Sequence, residues 1–306
     1  MMVVGFDTSN YTTSIACFNG TQGKNCSRLL DVRPGELGLR QSDAVFAHVM
    51  RLPELADALF RSVDRETIKA VGVSTRPRAV EGSYMPCFLA GVSAAQTLAS
   101  ALGVPCYSFS HQQGHVAAAL WSANRMDLME KPHLAWHLSG GTTELLLVEP
   151  EERNVSAIQI GGTSDISAGQ IMDRTGKLLQ LQFPSGKALD DLSRSANTKD
   201  RFKVKTNGLY FSFSGLENKI NQYFAAGHSP AETASYAVRS VCDAVMRVTE
   251  EALKQYPGYE VVFSGGVASN SMLRESCRKF SPVFAQPAFS TDNALGVAVL
   301  TWLQEA

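Results

Sequence analysis

The segment His111-Gln-Gln-Gly-His115 sets two imidazoles four residues apart. On a helix of 3.6 residues per turn both rings project from one face and can share a metal ion. The plainer alternative is the polar start of an ordinary helix. A second pair, His133 and His137, has the same spacing but falls in a stretch that reads as a strand. Four residues of strand cover about 13 Å, too far for one ion. Gln112 stands where a zinc peptidase of the HExxH type needs a glutamate as general base, which argues against peptidase chemistry.

Two Gly-Gly turns leave apolar strands, one from Ser139 to Thr143 and one from Ser264 to Val267. Turns of this kind expose N–H groups and let backbone approach a phosphate or an adenine ring, although many are turns and nothing more. Asp173, Asp190, Asn270 and Asp292 lie on or at the start of predicted helices. Each has the chemistry to accept a ribose hydroxyl or bind a metal, and each equally suits a helix cap or a solvated face. Arg194, Lys199, Arg201, Lys203 and Lys205 form a basic run, with Arg76 and Arg78 in a separate loop. The run reads either as a track for a phosphate backbone or as solvated surface.

The elements that must position these residues belong to an ordinary globular protein. A chain of 306 residues suits two domains. It is 44% apolar and 19% charged, with a formal charge of −1 that gives no global attraction to nucleic acid or membrane. Six cysteines without CxxC pairing read as reduced, mostly buried residues of a cytoplasmic protein. Met1 to Asp7 lacks a basic leader and is not expected to be a signal peptide. No apolar run approaches the roughly 20 residues needed to span a bilayer.

Along the chain, residues 2–18 read as strand, small polar turn, strand, and residues 134–148 repeat that plan. Each hairpin is expected to begin one lobe. After the first hairpin the pattern predicts a strand near Ser27 to Val32, a helix from Ser42 to Val63 and a strand from Ile68 to Ser74. A helix from Pro86 to Leu102, a strand ending near Phe109 and a helix from Ser110 to Ala123 follow. The polar stretch from Asn124 to Pro132 suits a lobe junction. The second lobe adds a strand at Val155 to Ile160, helices near 166–181, 186–196, 214–225 and 230–255, and a buried strand at Tyr259 to Phe263. A helix begins near Ser269, and a final apolar helix from Asp292 is expected to pack back on the first lobe.

Six segments spread over nearly the whole chain match one family in order. They are Val4-Gly-Phe-Asp-Thr-Ser9, the histidine pair, Ser139-Gly-Gly-x-Thr143, Phe211-Ser-Phe-Ser-Gly-Leu216, Gly265-Gly-Val-Ala-Ser-Asn270 with Leu273-Arg274 behind it, and Ser290-Thr-Asp-Asn293. On these the chain resembles the tRNA N6-adenosine threonylcarbamoyltransferase family. The resemblance implies an α/β, duplicated actin/hexokinase-like (ASKHA) fold with two lobes around a nucleotide cleft. Residues 1–130, completed by the C-terminal helix 292–306, would form one lobe, and residues 131–291 the other. It implies one divalent metal ion, iron or zinc, on His111, His115 and Asp292. His137, Leu138, Ser139, Gly140 and Gly141 would hold the carbonyl-phosphate of threonylcarbamoyl-AMP, Asp173, Gly186 and Asp190 the ribose, and Asn270 would lie near the nucleotide. The implied reaction passes the threonylcarbamoyl group to N6 of a tRNA adenosine next to the anticodon, with no catalytic side chain assigned. Nucleotide (ATP or AMP), tRNA, and protein partners of that machinery or a second copy of the chain are the implied partners.

The chain departs from the family's usual motifs. Gln113 replaces the glutamate of His-Met-Glu-Gly-His, Thr142 replaces the histidine of SGGHT, and Asn10-Tyr11-Thr12-Thr13 replaces a DETG-like turn. Thr75 to Ser83 lacks the Gly-Pro-Gly loop. These departures define an alternative, a catalytically altered paralogue that binds nucleotide and metal as a scaffold or regulator of a true family member. A small-molecule kinase on the same fold would need a catalytic aspartate, for which Asp7 is the one candidate.

Overall fold

The computed structural model describes residues 1–9, 11–31, 39–290 and 294–306 of the chain. It divides into two compact units: Met1–Lys131 with Glu149–Ala157 and Asp292–Ala306, and Pro132–Val148 with Ile158–Thr291.

Unit 1 opens with an antiparallel meander, β1 (Met2–Thr8), β2 (Thr12–Phe18) and β3 (Gly23–Leu29). Helix α1 (Gln41–Phe60), β4 (Ile68–Arg76), α2 (Phe88–Leu102), β5 (Cys106–Ser110) and α3 (His111–Ser122) follow. The sheet order is β3-β2-β1-β4-β5, with β4 parallel to both β1 and β5. β2 is buried along its whole length because helices cover both faces of the sheet, so its sequence reads as a continuous rather than an alternating apolar run.

Unit 2 repeats the plan. β6 (His133–Leu138), β7 (Thr143–Glu151) and β8 (Asn154–Thr163) come first, residues 149–157 at the β7–β8 connection belonging to unit 1, then α4 (Ala168–Leu178) and α5 (Gly186–Arg194). A two-residue ribbon, β9 (Thr206–Asn207) and β10 (Tyr210–Phe211), precedes α6 (Ser214–Ala225) and α7 (Pro230–Gln255). β11 (Val261–Ser264), α8 (Ser271–Cys277) and β12 (Val283–Phe284) complete it. The order β12-β11-β6-β7-β8-β10-β9 contains β8-β7-β6-β11-β12, which matches the order of unit 1 strand for strand. α7 is the long core helix: Ser229 and Glu232 form a reciprocal cap at its start, Pro230 fills the first turn, and Trp136 of β6 donates to Thr249 at 2.9 Å.

The last helix, α9 (Leu295–Glu305), packs against β1 and α3 of unit 1, as its apolar pattern predicts. It comes so close that glycine is required where the backbones meet. A Cβ on Gly5 would lie 2.6 Å from the Ala294 carbonyl oxygen, and one on Gly296 would lie 1.8 Å from that of Gly114. The helix starts at Leu295 rather than at Asp292, and Asn25 of β3 accepts from the Ala294 N–H at 3.1 Å just before it. Asp292 lies outside the described residues, as do Asn10 of the first turn and Val32 at the expected end of the third strand. β9, β10 and β12 are too short to leave a period in the sequence and were not expected. No helix among the described residues is long and apolar enough to cross a membrane.

The α9 contact separates two similar substitutions. In Gly296→Ala a gain in helix propensity of up to about 1 kcal/mol is outweighed by the clash with backbone, and overpacking of this kind costs about 3 kcal/mol. In Gly114→Ala the nearest atom is the Val297 side chain at 3.2 Å, which can give. Chemical denaturation is expected to show a loss of about 2 kcal/mol for Gly296→Ala and a near-neutral Gly114→Ala. Equal midpoints would contradict this packing.

Candidate functional site

In unit 1, β5 runs directly into α3, and Ser110 caps the helix. Its Oγ accepts from the Gln113 N–H at 3.2 Å, while the Gln113 side-chain oxygen accepts from the Ser110 N–H at 2.9 Å. This box fixes His111 as the first helical residue and places His115 one turn later. The ring centroids are 4.3 Å apart at 77°, and the two Nε2 atoms face each other at 2.9 Å. On the far side of His111, Nδ1 lies 2.7 Å from Oδ2 of Asp7, whose other oxygen accepts from the Ser9 N–H at 3.0 Å. A carboxylate on Nδ1 makes that nitrogen the donor and turns the Nε2 lone pair toward His115.

These rings fit a metal. Two ring nitrogens bound tetrahedrally at 2.0–2.1 Å stand about 3.3 Å apart, so a few tenths of an ångström would seat an ion. Among the described residues no third His, Cys, Asp or Glu completes a ligand cluster, and Asp292 lies outside them. Asp7 is the residue that sequence reasoning did not connect to the pair. It is 104 residues away, and a carboxylate ending a strand carries no spacing signal. His48 on α1 was also missed. It is fully buried with Nδ1 2.8 Å from Thr13 Oγ1 of the first hairpin, and burial pushes its pKa down, favouring the neutral ring.

Gln113, the departure inside the histidine motif, has a structural use. It is buried, and its amide nitrogen donates to the Val155 carbonyl at 2.8 Å while its oxygen serves the cap. A carboxylate can serve the cap but cannot donate to a carbonyl.

In unit 2 the Ser139–Thr143 turn is closed by its own backbone. Ser139 N–H donates to the Thr142 carbonyl at 2.8 Å, and Thr142 N–H donates to Ser139 Oγ at 3.0 Å. The Thr142 side chain takes no part in that closure. Helix α4 grips the turn from one side: Ser167 Oγ donates to the Gly140 carbonyl at 2.6 Å, and Ala168 N–H to Thr143 Oγ1 at 2.8 Å. A Cβ on Gly169 would lie 2.4 Å from the Ser139 carbonyl oxygen, so only glycine permits this approach. On the other side Gly140 and Gly141 are exposed, with open space where their Cβ atoms would lie.

The remaining candidates gather along α4 and α5. Asp173 accepts from the Ser185 N–H at 2.8 Å, beside Gly186, and burial pushes its pKa up against that hydrogen bond. Asp190 accepts from Asn270 Nδ2 at 3.0 Å and from the Ser271 hydroxyl and N–H at 2.8 and 3.0 Å, bringing together residues 80 apart. Asn270 also caps α8 through the Leu273 N–H. Gly265, at φ +91°, carries the second Gly-Gly turn against the Leu138 carbonyl, and His137 Nδ1 lies 3.4 Å from Ser264 Oγ. Residues 266–269 form a single turn of tight helix, so α8 begins at Ser271 rather than near Ser269.

Asp165 was likewise not expected. Its carboxylate accepts from the N–H groups of Ile166, Phe213 and Ser214 at 2.7, 2.8 and 3.2 Å and from the Ser212 hydroxyl. The Phe-Ser-Phe-Ser string is thereby clamped with Phe213 fully buried. Burial raises the Asp165 pKa, but the hydrogen bonds from Ser212, Phe213, Ile166 and Ser214 together hold it well below its ordinary 3.8. A depressed folded-state pKa contributes stability that is present above the unfolded value and lost as pH falls through the folded one. Asp165→Asn is therefore expected to lower the denaturation midpoint at neutral pH, with the gap to wild type closing as pH drops below about 4. A gap independent of pH would contradict the clamp.

The family model described as tRNA N6-adenosine threonylcarbamoyltransferase matches residues 37–299. A protein of that name from Carboxydothermus hydrogenoformans is 32% identical over 265 residues, covering 82% of this chain and 75% of the relative. One from Sulfurihydrogenibium sp. is 30% identical over 313 aligned positions, covering 97% and 89%. Among solved structures, HypF of T. kodakarensis aligns over 99% of this chain and 47% of its own, at TM-score 0.60 and 16% identity. A ROK hexokinase from Thermus thermophilus aligns over 100% and 99%, at TM-score 0.54 and 17% identity. The structures share the fold alone, and with the repeated strand order they make it the duplicated actin/hexokinase-like fold. By its sequence the chain belongs to the tRNA N6-adenosine threonylcarbamoyltransferase family.

Proposed function

We propose that this chain transfers the threonylcarbamoyl group of threonylcarbamoyl-AMP to the N6 amine of a tRNA adenosine next to the anticodon. The carrying observation is the converging His111–His115 pair, oriented by Asp7, in a chain that matches the family over residues 37–299. In the reaction N6 attacks the carbamoyl carbon, the bond from that carbon to the phosphate oxygen breaks, and AMP leaves. The N6 proton passes to the departing phosphate or to solvent.

In this reading His111 and His115 of unit 1, with Asp292, hold one divalent ion, iron or zinc. When bound, that ion supplies Lewis-acid polarisation of the acyl-adenylate. Asp7 keeps the His111 tautomer in the ligating form. In unit 2 the segment His137 to Gly141, exposed at Gly140 and Gly141, would hold the carbonyl-phosphate and steady the negative charge developing there. An ionised carboxylate has about four acceptor sites. Asp173 uses one on the Ser185 N–H and Asp190 uses three, which leaves both able to accept a ribose hydroxyl. Asn270, tied to Asp190, sets the nucleotide side of that pair. ATP or AMP is the expected nucleotide ligand, and protein partners of the same machinery or a second copy of the chain assist the full reaction. Two of the motif departures support the enzyme reading. Gln113 retains the cap, and Thr142 replaces a side chain the turn does not need.

The test is modification of tRNA in vitro, with synthesised threonylcarbamoyl-AMP and the purified protein together with its partners. N6-threonylcarbamoyladenosine is the expected product, formed by the wild type and reduced at least about a hundredfold in His115→Ala, the scale of a lost electrostatic stabiliser. Tight AMP binding without any product would overturn the proposal.

A further inference from the structure

The transfer reading makes no use of the basic run at residues 199–205. This segment has no regular secondary structure, yet it is pinned to the helices beside it. Phe202 N–H donates to Ser240 Oγ at 2.8 Å, Arg201 Nε to Asp243 at 3.0 Å, Tyr223 OH to Asp200 at 2.9 Å, and the Arg247 guanidinium to the Val204 carbonyl. Phe202 and Val204 turn inward, while Arg201, Lys203 and Lys205 are exposed. That alternation belongs to an extended chain, in which alternate residues stand about 6.6 Å apart on one side.

Beside the row lies a groove of about 340 Å³ over Met246 and Met272. Arg239, Asp243 and Arg247 follow one another at four-residue steps along one face of α7, and Lys279 enters from beyond α8. Asp243 is shared by Arg201 and Arg247, and Glu250 is bonded by Lys279. Arg239 bonds only the Ser235 hydroxyl, and Lys203 and Lys205 have no carboxylate partner among the described residues. The run and the groove lining together carry seven cations (Lys199, Arg201, Lys203, Lys205, Arg239, Arg247 and Lys279) and three carboxylates (Asp200, Asp243 and Glu250) on a chain whose formal charge is −1.

We propose that this face of unit 2, from the Arg201-Lys203-Lys205 row to the Arg239 groove, docks the phosphate backbone of an RNA. The proposal rests on the transfer reading for the identity of that RNA as tRNA. Lys203, Lys205 and Arg239, which no carboxylate pairs among the described residues, would release phosphate counterions on binding, and the pinned backbone of the row loses little conformational freedom in doing so.

The test is filter binding of bulk tRNA to the full chain over a series of salt concentrations, for wild type, Lys203→Glu/Lys205→Glu and Arg239→Glu. The double variant is expected to bind at least about tenfold more weakly, with a log–log salt slope shallower by about 2, and Arg239→Glu with one shallower by about 1. AMP affinity and thermal midpoint stay at wild-type values. If wild type and both variants bind tRNA alike while modified tRNA still forms, the docking face is wrong and the transfer reading stands. If the variants lose tRNA and salt dependence while no modified tRNA forms with any of the three, the docking face stands without the transfer reading. A wild type that binds no tRNA overturns the docking face.

Discussion

The hydrogen bond between Asp7 and His111 is the interaction on which the orientation of the histidine pair depends. Asp7 is 1% exposed, and burying a carboxylate costs several kcal/mol unless partners replace the lost water. Here the Ser9 N–H and the His111 ring replace it at 3.0 and 2.7 Å. The same bond decides chemistry, because a donor at Nδ1 leaves Nε2 as the lone-pair nitrogen facing His115. Packing secures both ends. The Ser110–Gln113 cap sets where α3 begins, and Gly296 lets α9 lie against that helix at the Gly114 carbonyl.

The repeated strand order places two different turns at the same position of the two units. In unit 1 the β1 strand leads into a turn with a buried carboxylate at its start, which orients a histidine. In unit 2 the equivalent β6 strand leads into Ser139-Gly-Gly, whose glycines are exposed with open space where their Cβ atoms would lie, while α4 grips the turn through Ser167 and Gly169. The glycines of α4 explain how it does both jobs. Gly169 allows contact with the turn and Gly176 allows contact with Ser185, and Asp173 lies between them. Two of the departures from the family's motifs, Gln113 and Thr142, fit this framework. Gln113 gains a donor for Val155, and the Thr142 side chain is not needed for turn closure.

The two hairpins and the helical histidine pair were legible in the sequence because each rests on a short period within one element. His111 and His115 could be placed on one face from 3.6 residues per turn, and His133 and His137 dismissed from the rise of a strand. What escaped depends on distance in the chain. Asp7 meets His111 across 104 residues, Asp165 clamps a string more than 40 residues away, and Gln113 finds Val155 across 42. The start of the last helix was misplaced by three residues, since an apolar pattern marks a buried face but not its first turn. The basic run reads as scattered surface charge until its inward partners, Phe202 and Val204, are seen to alternate with it.

The central claim, that Asp7 orients a histidine pair built to bind metal, is tested most directly by titrating metal-free protein with Zn²⁺ or Fe²⁺ in a calorimeter. One equivalent is expected to bind the wild type, about 10 to 100 times more weakly to Asp7→Asn, the usual cost of losing a carboxylate behind a ligating histidine. His115→Ala is expected to lose the site. Equal affinity and stoichiometry in all three proteins would contradict the account.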